Sequence, residues 1–247
     1  MQSMAFDHIS QIIGAAYTYK PSLAMRKHLT KGINKHHSSQ NEDFTFFYKG
    51  DNRTMVTDGG ELKLRKHPLT GDNVPHWPES ELAMFLGEKH RILGFSLAND
   101  FTAYEIEVSG RDDEFDGTYY GKVWPGSVSV GPRFLAVDEV GTLDDLDIGL
   151  KIVRGGNVIY DHTYNTSRRR REFSEIPDLA IEYRARFGDR PPPSKRLHLD
   201  DDGFLIPGTV IMLGTGLIVS KRAYSQAGDI VTVYAPKLGS ITNPIVN

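Results

Sequence analysis

Residues 76–87 read HWPESELAMFLG. Two glutamates, Glu79 and Glu81, stand at the mouth of an otherwise apolar run. A strand buries such a run, and a buried carboxylate is costly unless something pairs with it. Residues two apart on a strand point to one face, so the two glutamates project together. Like charges this close raise each other's pKa unless a cation lies between them. The pattern alone leaves two readings open: an exposed strand start with both glutamates in water, or a pair facing a cation.

The next apolar run, ILGFSLAND (92–100), ends in Asn99-Asp100. A hairpin through Gly87–Arg91 sets it antiparallel to the first run and brings Asp100 close to Glu79 and Glu81. Three converging carboxylates, with room for water and substrate oxygens, outline an octahedral magnesium site. An oxygen ligand set also suits manganese or calcium.

Outward from this hairpin the chain reads as short strands broken by Gly, Pro, Asn and Asp. FTFFYKG (44–50), SVSVGPRFLAV (127–137), GTVIMLGTGLIV (208–219) and the AGDIVTVYAPKLGSITNPIV run (227–246) are strand-like. DIGLKIVRGGNVIYDHTY (147–164) reads as a hairpin turning at RGGN. One helix is expected over about 170–187, capped by Asn165, Thr166 or Ser167. SLAMRKHL, from Ser22, suggests a further turn-rich helix, HHSSQNED (36–43) a loop, and PPPSKR (191–196) a stiff exposed connection. The fold class is a β-rich α+β pattern with few helices. The βαβα alternation, GxGxxG and Walker loops of nucleotide-binding sheets are absent. The expected division is a small N-terminal segment, 1–50, packing on a catalytic domain, 51–247.

With 247 residues, 39% hydrophobic and 25% charged, the chain is long enough for a sizeable core and ordinary for a soluble domain. A net charge of −3 gives no basic field, so nucleic acid is not an expected partner. The start MQSMAFDHISQIIGAAY has no basic n-region or long apolar stretch, so neither a signal peptide nor a membrane span is expected. The absence of cysteine rules out disulfides and thiolate chemistry and fits a cytoplasmic address.

PESELAMFLG…ILGFSLANDFTAYEIE, then YYGKVWPGSVSVGP (119–132), then GTGLIV…AGDIVTVYAPKLGSITNPIV resemble the fumarylacetoacetate hydrolase superfamily, over most of residues 75–247. The resemblance implies a mixed β-sheet roll with Glu79, Glu81 and Asp100 as ligands of Mg²⁺, Mn²⁺ or Ca²⁺. It implies Lys122 as the active-site lysine, and Gly214 and Thr215 of the GTG loop as holders of a substrate carboxylate. Thr166 and Ser167 fall where relatives carry a Thr/Ser run, though a capping role fits them equally. Read as residues alone, Lys122 is also a surface lysine and Gly214–Gly216 also a strand-ending turn.

The chain departs from the hydrolase pattern in two places. GKVWPGS lacks the Asp that follows the lysine in many relatives, and Tyr104 stands where NDxSARD carries Arg. KVWPGSVSVGP is more similar to the branch that dehydrates 2-keto-3-deoxy sugar acids. TYKPSLAMR (18–26) resembles that branch's TYxxSxxxR, implying binding roles for Ser22 and Arg26, and FFYKG (46–50) resembles its FFK segment. The implied function is a magnesium-dependent lyase dehydrating a 2-keto-3-deoxy sugar acid through an enolate, with Lys122 as base and the acid unidentified. The alternatives are a C–C hydrolase or decarboxylase of a 2-oxo acid, or a non-catalytic metal-binding relative. Relatives are dimers or dimers of dimers, which implies a homodimer or homotetramer here.

Overall fold

The computed structural model describes residues 8–20, 44–109, 115–140 and 143–247. Ser22, Arg26, the SLAMRKHL and HHSSQNED segments and most of RDDEFD (111–116) lie outside the described residues.

β5 (His76–Leu86) and β6 (Ile92–Ala103) form the expected antiparallel hairpin, joined through a 3-10 turn at Glu88–His90. Every residue of β5 is buried, so the glutamates stand well inside the strand rather than at an exposed start. β1 (Gln11–Ala16) lies parallel to β11 (Thr209–Met212) and antiparallel to β2 (Thr45–Gly50). These join β3 (Met55–Val56) and β7 (Val128–Val130) in a sheet of order β2-β1-β11-β5-β6-β7-β3, with β8 (Leu135–Ala136) on β6. β1 and β2, from the N-terminal 50 residues, are thus strands of the same sheet as β5 and β6.

A second sheet, of order β10-β9-β12-β13-β4, contains β4 (Leu62–Lys63), β9 (Asp147–Arg154), β10 (Asn157–Asn165), β12 (Ile230–Ala235) and β13 (Gly239–Val246). Gly155 and Gly156, both at positive φ, make the turn between β9 and β10, as RGGN predicts. The main core gathers Leu82, Met84 and Leu97 from the first sheet with Leu150, Ile152 and Val233 from the second. Strand alternation sends the opposite parity of β5 and β6, which includes Glu79, Glu81 and Asp100, to the other face.

Short helices complete the architecture: α1 (Tyr104–Ser109), α2 (Gly117–Lys122), α3 (Val137–Val140) and α4 (Ile176–Ala185). Three expectations need correction. The helix read over 170–187 begins at Ile176, with Pro177 in its first turn. Asn165 instead caps a 3-10 turn at Thr166–Arg168, accepting the Ser167 N–H at 2.9 Å. GTVIMLGTGLIV is a strand only over β11, because Gly214 turns the chain at φ +76°. PPPSKR is not wholly exposed: Ser194 is buried and donates its N–H to Asp116 Oδ2 at 2.7 Å. In the arginine run 168–171, Arg169 pairs with Asp144 at 2.7 Å and Glu172 at 2.5 Å.

Gly121 fixes how α2 meets α1. A Cβ there would lie 2.5 Å from the Glu107 backbone nitrogen, closer than packed atoms approach. Alanine offers up to about 1 kcal/mol of helix propensity, but overpacking costs about 1–3 kcal/mol. Gly121→Ala is therefore expected to lower stability in urea denaturation; an unchanged or raised midpoint would show that the helices part freely.

His76 opens β5 as a neutral ring. Nδ1 donates to the Val74 carbonyl at 2.8 Å, and Nε2 accepts the Arg65 N–H at 2.9 Å. Burial, with lesser repulsion from Arg65 and Lys49, pushes its pKa down to about 4. Between that value and the unfolded 6.5, the unfolded chain binds a proton that the native one refuses. Stability therefore rises with pH across this window and falls on acidification, by about 3 kcal/mol for the full shift. His76→Phe is expected to flatten this part of the stability–pH curve measured by denaturation, and a slope equal to wild type would assign it to other groups.

Candidate active site

The β5–β6 register sets Glu79 opposite Asp100 and Glu81 opposite Ala98. The small Ala98 leaves space beside the second glutamate. Glu79 and Glu81 are each 4% exposed and Asp100 1%, and carboxylate oxygens of all three lie within 4.8 Å of one another. Such a cluster persists only if cations or protons compensate it.

Two buried lysines supply part of that compensation. Lys122, at the end of α2, donates to Glu79 Oε2 at 2.8 Å, Asp100 Oδ2 at 2.7 Å and Thr102 Oγ1 at 2.6 Å. Lys49, on β2, meets Asp100 Oδ1 at 2.7 Å and donates to the Phe101 carbonyl at 3.0 Å and the Lys122 carbonyl at 2.5 Å. Burial pulls the Lys49 pKa down to about 8, although the adjacent Asp100 works against it. Burial pushes Asp100 upward, but the Lys122 and Lys49 ammoniums outweigh it and hold the carboxyl at about 2.

Glu81 has a different environment. Its Oε2 accepts the Gly214 N–H at 2.7 Å. Burial, then the charges of Asp100 and Glu79, push its pKa well above the ordinary carboxylate range. Among the described residues, three carboxylates against two ammoniums leave one negative charge uncompensated when all are ionised. An all-oxygen set with surplus negative charge fits a divalent hard cation. The residues present therefore suit magnesium.

Phe47, Tyr17, Gly214 and Thr215 line the same small cleft as the carboxylates and Lys122. Thr215 is buried, and its Oγ1 accepts the Leu217 N–H at 3.1 Å. Gly214 permits a close approach that no side chain would: a Cβ there would lie 2.0 Å from Thr18 Oγ1. Thr166 and Ser167 do not join them. Thr166 Oγ1 accepts the Leu146 N–H at 2.9 Å and donates to the Leu143 carbonyl, while Ser167 is exposed. Thr166 is thus committed to backbone. A larger groove of about 1110 Å³, bounded by Ile9, Phe85, Leu93 and Pro207, lies at the far end of β5 from the carboxylates.

Sequence reading missed Lys49, Thr102 and Glu107. Thr102 was accessible, since it shares strand parity with Asp100. Lys49 shares parity with Phe47 in FFYKG, but a lysine ending a strand ordinarily points to water. Glu107 lies on α1, with Oε1 3.9 Å from Lys122 Nζ.

Residues 12–246 match the family model described as fumarylacetoacetate (FAA) hydrolase C-terminal. The chain is 29% identical over 202 residues to a 2-dehydro-3-deoxy-D-arabinonate dehydratase of Saccharolobus solfataricus, covering 81% of this chain and 57% of that protein. It is 27% identical over 202 residues to a probable 2-keto-3-deoxyxylonate dehydratase of Haloferax volcanii, covering 81% and 59%. The chain thus spans less than two thirds of the length of these curated relatives. A hexagonal crystal form of 2-keto-3-deoxyarabinonate dehydratase shares the fold with a TM-score of 0.75 at 22% identity, over 95% of this chain and 73% of that one. A 2-keto-3-deoxy-D-arabinonate dehydratase complexed with magnesium and 2,5-dioxopentanoate gives a TM-score of 0.71 at 22% identity, over 96% of this chain and 72% of that one.

Proposed function

Because this chain belongs to the fumarylacetoacetate hydrolase C-terminal family, we propose that it is a magnesium-dependent lyase that removes water from a 2-keto-3-deoxy sugar acid. The observation that carries the proposal is the Lys122 ammonium lodged against Glu79 and Asp100, with Glu81 completing a buried acidic triad. The dehydratases among its relatives supply the substrate class.

Glu79, Glu81 and Asp100 are the residues that would hold magnesium. When bound there, the ion would polarise the C2 carbonyl of a 2-oxo acid and acidify its C3 hydrogens. Lys122, in its neutral form, takes a C3 proton. The Thr215 hydroxyl and the backbone of the Gly214 turn hold the substrate carboxylate and so orient the C3 hydrogens toward Lys122. Phe47 closes one wall of the cleft, and an ammonium over its ring, 5.1 Å from Nζ to the centroid, is held by cation–π attraction. Lys49 keeps Asp100 aligned by occupying the oxygen that Lys122 does not. Ser22 and Arg26 as further binding residues, a cytoplasmic address and assembly as a homodimer or homotetramer belong to the same proposal. Among the described residues, no helix is long and apolar enough to cross a membrane.

A panel of 2-oxo acids, assayed with Mg²⁺ and with EDTA, tests this reading. A 2-keto-3-deoxypentonate is expected to lose water across C3–C4, the resulting enone tautomerising with loss of a C5 hydrogen and gain of hydrogen at C3 and C4 to a dioxo acid captured by semicarbazide, and EDTA is expected to abolish the signal. Carbon dioxide from oxaloacetate or cleavage of an acylpyruvate, with the sugar acids untouched, would replace it with a decarboxylase or hydrolase.

A further inference from the structure

Loss of water from a 2-keto-3-deoxy acid needs two proton movements: one leaves C3, and one reaches the departing C4 oxygen. Lys122 serves the first. The structure places one more carboxylate beside this lysine, away from the acidic triad. Glu107 Oε1 lies 3.9 Å from Lys122 Nζ, and its side chain is 15% exposed where that of Lys122 is 1% exposed. It is thus the more solvent-accessible of the two, just outside the residues that line the small cleft.

Its position is enforced. α1 follows β6 directly, so Glu107 is tied to the strand that carries Asp100. The close approach of Gly121 to the Glu107 backbone locks α1 onto α2, one residue before Lys122. Lys195, held by the Phe46 carbonyl at 3.3 Å, feels the charges of Asp116 and Glu107 and adds a cation nearby. In the dehydratase reading, a substrate with C1 and C2 at the triad and C3 at Lys122 would carry its C4 hydroxyl on the carbon next to the one that faces the lysine, within reach of a neighbour of that lysine.

We infer that Glu107 is a catalytic residue that carries the proton from Lys122 to the departing C4 hydroxyl. The inference rests on the dehydratase reading. Neutral Lys122 takes the C3 proton, and the C3–H electron pair becomes that of the enolate. Lys122, now an ammonium, passes the proton to the Glu107 carboxylate. The C4–O bond breaks as the enolate pair forms the C3–C4 double bond, and the oxygen leaves with the Glu107 proton as water. Lys122 ends neutral and Glu107 ionised, as they began, and no oxidant or further reactant enters. The 3.9 Å separation exceeds the roughly 2.6–3.2 Å of a transfer contact; catalytic hydrogen bonds that are long without substrate commonly tighten in its complex.

Glu107→Gln keeps the shape and removes the transferable proton. Two reactions are compared with Mg²⁺ present: dehydration of a 2-keto-3-deoxypentonate, and exchange of C3 hydrogens of 2-oxobutyrate with deuterated water, followed by NMR. 2-Oxobutyrate has no C4 hydroxyl, so its exchange needs Lys122 without needing a leaving-group acid. Glu107→Gln is expected to lose about 10²–10⁴-fold in dehydration and less than about tenfold in exchange. Mn²⁺ affinity, read by electron paramagnetic resonance, is expected to stay at the wild-type value. Added acetate is expected to restore dehydration in Glu107→Ala. Dehydration within about threefold of wild type in Glu107→Gln would overturn the inference. An equal fall in both reactions would also overturn it, reducing Glu107 to a support for Lys122. Wild-type protein that exchanges 2-oxobutyrate yet dehydrates no sugar acid would remove the dehydratase reading itself, a result visible without any variant.

Discussion

Lys122→Met is expected to lower dehydration of a 2-keto-3-deoxy sugar acid by about 10²–10⁴-fold, the usual contribution of a positioned proton-transfer group. Exchange of C3 hydrogens with deuterated water is expected to fall in parallel, because both reactions begin with the same proton removal. Metal binding behaves differently. The Lys122 ammonium shares Glu79 Oε2 and Asp100 Oδ2 with any incoming cation. Its removal leaves those oxygens free, so Mn²⁺ affinity measured by electron paramagnetic resonance is expected to be retained or raised. Methionine fills the buried stem volume without a charge. Exchange that continued at the wild-type rate would assign the base to another group.

Asp100→Ala is expected to have the largest effect on the fold as well as on the site. Sequence reasoning alone predicts that the fold survives, since the change removes one charge from a repulsive cluster. The structure reverses that expectation. Asp100 is the carboxylate that both buried lysines share, at 2.7 Å each. Its loss leaves Lys49 with carbonyl partners and, among the described residues, only the more distant Glu79 as a carboxylate acting on it. Breaking a buried ion pair on one side costs about 3–5 kcal/mol. Urea denaturation in EDTA is expected to show a loss of that order, with a smaller one for Asp100→Asn. Mn²⁺ affinity is expected to fall by more than the roughly 10–100-fold that loss of an outer-shell partner costs. An Asp100→Ala protein with a wild-type midpoint would mean that the lysines are compensated elsewhere.

The parts of the site that depend on strand periodicity were legible before the structure. Alternation put Glu79 and Glu81 on one face, and the polar Gly87–Arg91 break set the turn that brings Asp100 opposite Glu79. The Gly155-Gly156 turn was legible for a similar local reason. Features that depend on nonlocal contacts were not. Lys49 is fully buried because three acceptors from β6 and α2 surround its ammonium, and nothing in FFYKG names those acceptors. α1 is a six-residue helix of sequence YEIEVS, too short for a 3.6-residue period to show. Thr166 has the residue type of a ligand-binding hydroxyl, but its acceptor and donor roles are taken by Leu146 and Leu143 of the preceding loop. The helix expected at 170 starts late because Asn165 spends its side chain on an earlier 3-10 turn.

The parallel pairing of β1 with β11 also sets when the site comes into being. Gln11 pairs with Thr209, roughly 200 residues later in the chain, an interval of about 10–40 s at ordinary rates of ribosomal synthesis. Until Thr209–Met212 emerges, β1 and its partner β2 lack the strand that joins them to β5. Lys49, on β2, therefore reaches Asp100 only after β11 has been made. Until then Lys49 and the side of Asp100 that it covers stay in water, where neither incurs a burial cost. Docking of the β1–β2 pair, through β11, is then the event that dehydrates them together.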